Sequence, residues 1–184
     1  MSTTAPMPTS ASSKDVEKDA SMRQQKAMMA AHYDRLTAVP QTGAKVCATF
    51  VPGNLNELIM CFDLVNNLPE VNAIQSGLRR VSGSYVMEAE KIGHSEDVCT
   101  YVKSDIGMIA KGNIAPNGQK FPDPDVLLLS YTGCFTFMKW FELLRERYQC
   151  ETIMLHTPYL GDGKITPNMV EYMVKQLKTE VIPK

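Results

Sequence analysis

The sequence predicts a three-layer, Rossmann-like α/β domain with a mainly parallel sheet, preceded by an N-terminal helix. Three observations carry that expectation. Residues 125–131 (DVLLLSY) form a continuous apolar run of the kind found in a strand buried on both faces. That run passes through Thr132, Gly133 and Cys134 into an amphipathic stretch, where Phe137, Phe141, Leu144 and Tyr148 recur at helical spacing and Lys139, Glu142, Arg145 and Glu146 fall off the stripe. A second short apolar run, Thr152 to His156, follows. Strands alternating with amphipathic helices imply a parallel sheet between helical layers.

The remaining elements follow in order. Residues 1–20 are rich in Ser, Thr, Ala and Pro, then in Lys, Asp and Glu, and read as a disordered leader. Residues 21–43 are an N-terminal helical segment, with good helix formers and no Gly or Pro from Ser21 to Leu36. The α/β domain spans residues 44–184. It opens with a strand from Ala44 to Val51, ended by Pro52 and Gly53. Asn54 is placed to cap a helix running through Leu58, Cys61 and Leu64 towards Asn67, with Pro69 as its stop. Another helix covers Tyr85 to Lys91 and ends at Gly93. A polar link, residues 94–97, leads to a helix from Cys99 to Lys111, closed by Gly112. Residues 112–125 hold three prolines and an Asn117-Gly118 pair, the chemistry of a loop with a tight turn. Thr166-Pro167 opens the last helix, with Met169, Val170, Met173, Val174 and Leu177 on one face.

Composition narrows the function classes. Nineteen basic residues nearly cancel twenty acidic ones, which gives no electrostatic reason to expect nucleic acid or an anionic membrane as partner. No apolar run approaches the roughly 20 residues that cross a bilayer, and the first twenty residues lack the apolar stretch of a secretory signal. The expected location is the cytoplasm. In that reducing compartment the five cysteines are not expected to pair as disulfides. Each is then a metal ligand, a nucleophile or a small core residue.

Cys134 lies between a buried strand and the first turn of a helix, where ligands gather in parallel sheets. Helix N-termini present unpaired N–H groups and partial positive charge, which stabilise a thiolate or an anionic cluster. Cys99 has the same setting at the start of its own helix. The alternative, that each is a buried small hydrophobe, stays open, since no C-x-x-C pair occurs. Cys47, Cys61 and Cys150 fall within a strand, within a helix and just before a strand, and read as packing residues. His94, Glu96 and Asp97 make a compact acid–base group that ordinary helix punctuation also explains. The stretch from Gly161 to Thr166 echoes a phosphate loop but has Pro158 in place of the first glycine and Ile165 in place of the hydroxyl residue, so it reads as a turn. The Phe135, Phe137, Trp140 and Phe141 cluster reads as helix packing more than as a stacking platform, with its outer members also able to line an aromatic pocket.

Three longer stretches, taken together, resemble the 2-hydroxyacyl-CoA dehydratase and benzoyl-CoA reductase family. They are residues 68–79 (LPEVNAIQSGLR), residues 89–103 with their G-H-S-E-D-x-C-x-Y-V-K pattern, and residues 122–142 with C-x-x-x-x-K-W-x-E. The last two are most similar to the reductase branch. The similarity runs from about Lys45 to the end. It implies an α/β domain holding a [4Fe-4S] cluster through cysteine thiolates beside an acyl-CoA pocket, with Cys99 and Cys134 on the first two ligand positions. The family's third ligand comes from a later domain, and no cysteine follows Cys150 here. The resemblance further implies an aryl-CoA thioester substrate and other reductase subunits as partners, among them an ATP-hydrolysing electron activator. His94, Glu96 and Lys103 are the candidates for proton delivery or for orienting the cluster region. Two other readings stay open: a 2-hydroxyacyl-CoA dehydratase component, and a truncated, metal-free module that binds CoA or a partner without catalysis.

Overall fold

The structure, a computed structural model, describes residues 20–50, 55–131 and 133–184. Residues 1–19 of the expected leader, the Pro52-Gly53 turn, the Asn54 cap and Thr132 lie outside them, and Ala20, expected as the leader's last residue, is the first residue of a helix. Four parallel strands, β1 (Val46–Thr49), β2 (Val65–Asn67), β3 (Val126–Tyr131) and β4 (Glu151–His156), form one sheet in the order β2-β1-β3-β4. The chain therefore steps from β1 to one side, crosses back over it and continues on the other side. The gap between the carboxyl ends of β1 and β3 is the point where the strand order reverses, the place where open α/β sheets bind ligands.

Eight helices are described: α1 (Ala20–Thr37), α2 (Val39–Thr42), α3 (Asn56–Cys61), α4 (Pro69–Leu78), α5 (Ser82–Lys91), α6 (Thr100–Ala110), α7 (Phe135–Tyr148) and α8 (Pro167–Gln176). A π-helical segment, Leu177–Val181, extends α8. Strand side chains alternate between two faces. Ala48, Leu127 and Leu129 pack against Val102 of α6 and Trp140, Phe141 and Leu144 of α7. Val46, on the same face as Ala48, meets Tyr33 and Leu36 of α1, with Met108 and Phe121. Cys47, Leu128, Ile153 and Leu155 look the other way, onto Ile59 of α3 and Val181. The three layers and the parallel sheet are as the sequence predicts.

Asp125 fixes the register between β1 and β3. Its backbone N–H donates to the Val46 carbonyl (2.8 Å), and its carboxylate accepts from the Val46 N–H (2.9 Å) and from Lys45 Nζ (2.7 Å). The Asn117-Gly118 turn is also present, bracketed by an antiparallel Ile114–Lys120 bridge. Asn117 donates to Thr37 Oγ1 at 2.9 Å and so ties this loop to α1.

Several expectations are corrected. The helix expected to run to Asn67 ends at Cys61, and Val65–Asn67 is the edge strand β2. Leu55, in a left-handed conformation (φ 61°), stands at the N-cap of α3. Pro69 does not stop a helix; it begins α4, where its missing N–H costs nothing. The α5 helix starts at Ser82, three residues before Tyr85. On α8 and its π-helical extension only part of the apolar stripe is covered: Met173 and Leu177 pack inward, whereas Val170 and Val174 are exposed.

Candidate functional site

The two singled-out cysteines hold equivalent positions. Cys134 is the N-cap of α7 and Cys99 the N-cap of α6, both with non-helical backbone and neither making a side-chain capping hydrogen bond. Both are exposed, whereas Cys47 is buried. The reading of Cys99 and Cys134 as buried hydrophobes therefore fails. Gly133, at φ +98°, makes the turn that takes the chain from β3 into α7, a conformation that L side chains rarely adopt. Cys61 is also exposed, at the end of α3, and is no packing residue.

A cavity of about 320 Å³ lies between the α6 region and α7, lined by His94, Val98 and Val102 on one side and by Thr136, Lys139, Trp140, Glu142, Leu143 and Glu146 on the other. Cys99 directly follows Val98, and Cys134 lies two residues before Thr136. Lys139 and Glu142 form an exposed ion pair at 2.8 Å, and that hydrogen bond and charge hold the Glu142 carboxyl below the usual carboxylate range. Beside the cavity Phe50, just past β1, stacks on Phe137 (5.5 Å, 5°) and meets Trp140 at 4.5 Å. Phe137, Trp140 and Phe141 are thus packing residues, as expected, but Phe135 is exposed beside Tyr131.

Of the acid–base candidates, His94 is half-buried and lines the cavity. Glu96 has an exposed side chain, and what the fold uses is its backbone carbonyl. Lys103 is buried one turn beyond Cys99; its ammonium donates to the Glu96 carbonyl (2.8 Å) and pairs with the Glu90 carboxylate (2.7 Å). It ties the loop ahead of Cys99 to α5 and α6. His156, the last residue of β4, is exposed, and its backbone N–H and carbonyl both bond to the Gln176 side chain at 2.9 Å. The stretch from Gly161 to Thr166 is a turn: Asp162 accepts from the Lys164 N–H, and Thr166 caps α8.

One group escaped the sequence reading. Asp105 is buried on α6, and its carboxylate accepts from Trp140 Nε1 at 2.8 Å. Burial pushes its carboxyl up to about 7, with the indole hydrogen bond opposing. The signal was present: an aspartate amid Ile106, Gly107, Met108 and Ile109 must find a partner if that stretch is buried.

Among the described residues no group of three or more His, Cys, Asp or Glu side chains is placed to hold a metal ion. Two exposed thiols at helix starts match, by type and number, half of the four-thiolate shell of a cubane cluster, and no more than half.

The profile of the family described as 2-hydroxyglutaryl-CoA dehydratase, D-component, matches residues 49–184. This chain belongs to that family. It is 69% identical over 169 residues to the B subunit of benzoyl-CoA reductase from Thauera aromatica, a match covering 92% of this chain and 39% of that protein. It is 26% identical over 125 residues to the (R)-2-hydroxyisocaproyl-CoA dehydratase alpha subunit of Clostridioides difficile, covering 68% and 30% of the two chains. The (R)-phenyllactyl-CoA dehydratase alpha subunit of Clostridium sporogenes is 25% identical over 108 residues, covering 59% and 26%. The chain thus spans well under half the length of these relatives. The resemblance seen in the three sequence stretches stands. Among the described residues no helix is long and apolar enough to cross a membrane.

Proposed function

We propose that this chain is part of an iron–sulfur subunit of an ATP-dependent, dearomatising benzoyl-CoA reductase. The observation that carries this reading is the 69% identity to the Thauera aromatica reductase subunit across nearly all of the chain. In it Cys99 and Cys134 supply two thiolates to a [4Fe-4S] cluster, and the remaining ligands come from outside this chain. A bound cluster would pass low-potential single electrons to the ring of an aryl-CoA thioester. The chain's own residues have three tasks. The N–H groups at the starts of α6 and α7 stabilise negative charge at the thiolates. Lys103 orients the loop that carries Cys99, and Glu96 takes part through the carbonyl that this ammonium holds. His94, which lines the cavity, carries a proton in this reading towards the substrate being reduced.

The partners in this reading are the other reductase subunits, including an ATP-hydrolysing activator that delivers electrons. The compartment is the cytoplasm. The other two relatives favour a second reading, a 2-hydroxyacyl-CoA dehydratase component, since both carry dehydratase names. Assay of the assembled enzyme with benzoyl-CoA and with a 2-hydroxyacyl-CoA separates the two.

The cluster is tested by anaerobic iron and sulfide analysis with an electronic spectrum, after reconstitution in excess small-molecule thiol to complete the shell. A cubane signature in the parent, lost in Cys99→Ser and in Cys134→Ser, is the expected result. Absence of iron from the parent sinks the cluster assignment and favours a metal-free module that binds CoA or a partner.

A further inference from the structure

We propose that the hydrogen bond between Asp105 and Trp140 is a positioning clamp that sets the separation and relative height of Cys99 and Cys134. The proposal rests on reading those two thiols as ligands of one site.

The first observation is symmetry of placement. Asp105 lies six residues after the N-cap Cys99, and Trp140 lies six residues after the N-cap Cys134. At ~1.5 Å rise per residue, the clamp joins the two helices at about the same depth, roughly 9 Å, below each cap. A cross-link at matched depth fixes how far one helix start stands above the other. It is the only side-chain hydrogen bond between α6 and α7 that the described residues show.

The second observation is where the bond sits. Asp105 is 3% exposed and Trp140 is fully buried, in a core built from Phe50, Val102, Phe141 and Leu144. The indole is also held by Phe50, at the carboxyl end of β1 (4.5 Å). Its orientation is therefore referenced to the sheet as well as to α6. A buried carboxyl is costly there, and an apolar side chain of similar volume would pack without that penalty. What the carboxyl adds is direction: an apolar contact tolerates sliding, whereas a 2.8 Å hydrogen bond does not.

The third observation is the cavity. Val102 of α6 and Trp140, itself one partner of the clamp, line the same cavity as Val98 and Thr136, which lie one residue before Cys99 and two residues after Cys134. Slippage of α6 along α7 would reshape the cavity and the thiol spacing together.

The test reads the spacing directly. Spin labels go on Cys99 and Cys134 in a chain carrying Cys61→Ser and Cys150→Ser, with buried Cys47 kept, and their separation is measured by dipolar EPR. Asp105→Asn keeps an acceptor for the indole and is expected to leave the distance distribution unchanged. Asp105→Leu and Trp140→Phe remove one partner each and are expected to shift the distribution and at least double its width. Parent-like distributions in both, with native circular dichroism, would overturn the clamp. Should Asp105→Leu fail to fold, Trp140→Phe decides alone, because it keeps an aromatic ring in the same space. The measurement needs no iron, so absence of a cluster in the parent refutes the proposed function without touching this result. In a chain that does reconstitute, iron content should fall in Asp105→Leu and Trp140→Phe and recover in Asp105→Asn.

Discussion

The ammonium of Lys103 lies 2.7 Å from the carboxylate of Glu90, and the Lys103 side chain is only 5% exposed. The same ammonium holds the Glu96 carbonyl at 2.8 Å, so one buried charge joins α5, α6 and the loop that leads into Cys99. Replacement by Met strands a half-buried carboxylate and an unpaired carbonyl. Lys103→Met is expected to cost about 1–3 kcal/mol in urea unfolding, and Glu90→Gln less, since its amide still accepts. Identical midpoints for Lys103→Met and the parent would show the bolt to be dispensable.

Helices α5 and α6 meet backbone to backbone at Gly107. A Cβ added there would fall 1.8 Å from the Tyr85 carbonyl oxygen, and backbone cannot swing aside as a side chain can. Gly107→Ala should force α5 away from α6 and destabilise by at least about 1–3 kcal/mol. Gly77, inside α4, has nothing within 4 Å of the same added atom. Gly77→Ala should instead stabilise by about 0.5–1 kcal/mol through helix propensity. Paired thermal melts that move in the same direction would refute this contrast.

Asp105 gives a pH dependence with a definite sign. Its carboxyl titrates near 3.8 when unfolded and at about 7 when folded, because burial penalises the charged form. Between those values the folded chain holds a proton that the unfolded chain has released. Stability from this group is therefore full below about pH 4, falls as pH rises towards 7 and is flat above, a loss of a few kcal/mol. Asp105→Asn removes that slope and should gain on the parent between about pH 5 and pH 8. Urea titrations at the two pH values check it; equal slopes in parent and variant would be the contrary outcome.

Thiol reactivity should sort by position. Cys47 is 1% exposed, and burial, aided by Cys150, pushes its thiol up to about 12. Maleimide labelling read by mass spectrometry should modify Cys61, Cys99 and Cys134 in the folded chain and reach Cys47 only on unfolding. Early modification of Cys47 would contradict the packing of β1.

The sequence disclosed the β3–α7–β4 unit well, because a long apolar run, a glycine and an amphipathic stripe follow one another without ambiguity. It also placed Cys99 and Cys134 at helix starts for the same reason. It failed at β2, where three residues are too few to show a period and the preceding apolar stretch reads on as helix. Pro69 misleads because proline ends one helix and begins another with equal ease. The buried charges Lys103 and Asp105 are hidden for a different cause. Pattern reading sends charges to the surface, and only the tertiary fold brings Glu90 and Trp140 within reach. The exposed half of the α8 stripe shows the converse: periodicity tells which residues share a face, and not whether anything covers it.

Gln176 occupies both backbone groups of His156 at the outer end of β4. In effect a side-chain amide imitates one residue of a neighbouring strand. Sheets grow by recruiting strands to an edge that still offers donors and acceptors. At His156 that offer is already taken, and by the last residue of a helix. A further strand laid against β4 to that level would have to evict Gln176 and loosen the end of α8. Extension of this sheet and retention of that helix terminus are therefore competing outcomes, decided at a single glutamine.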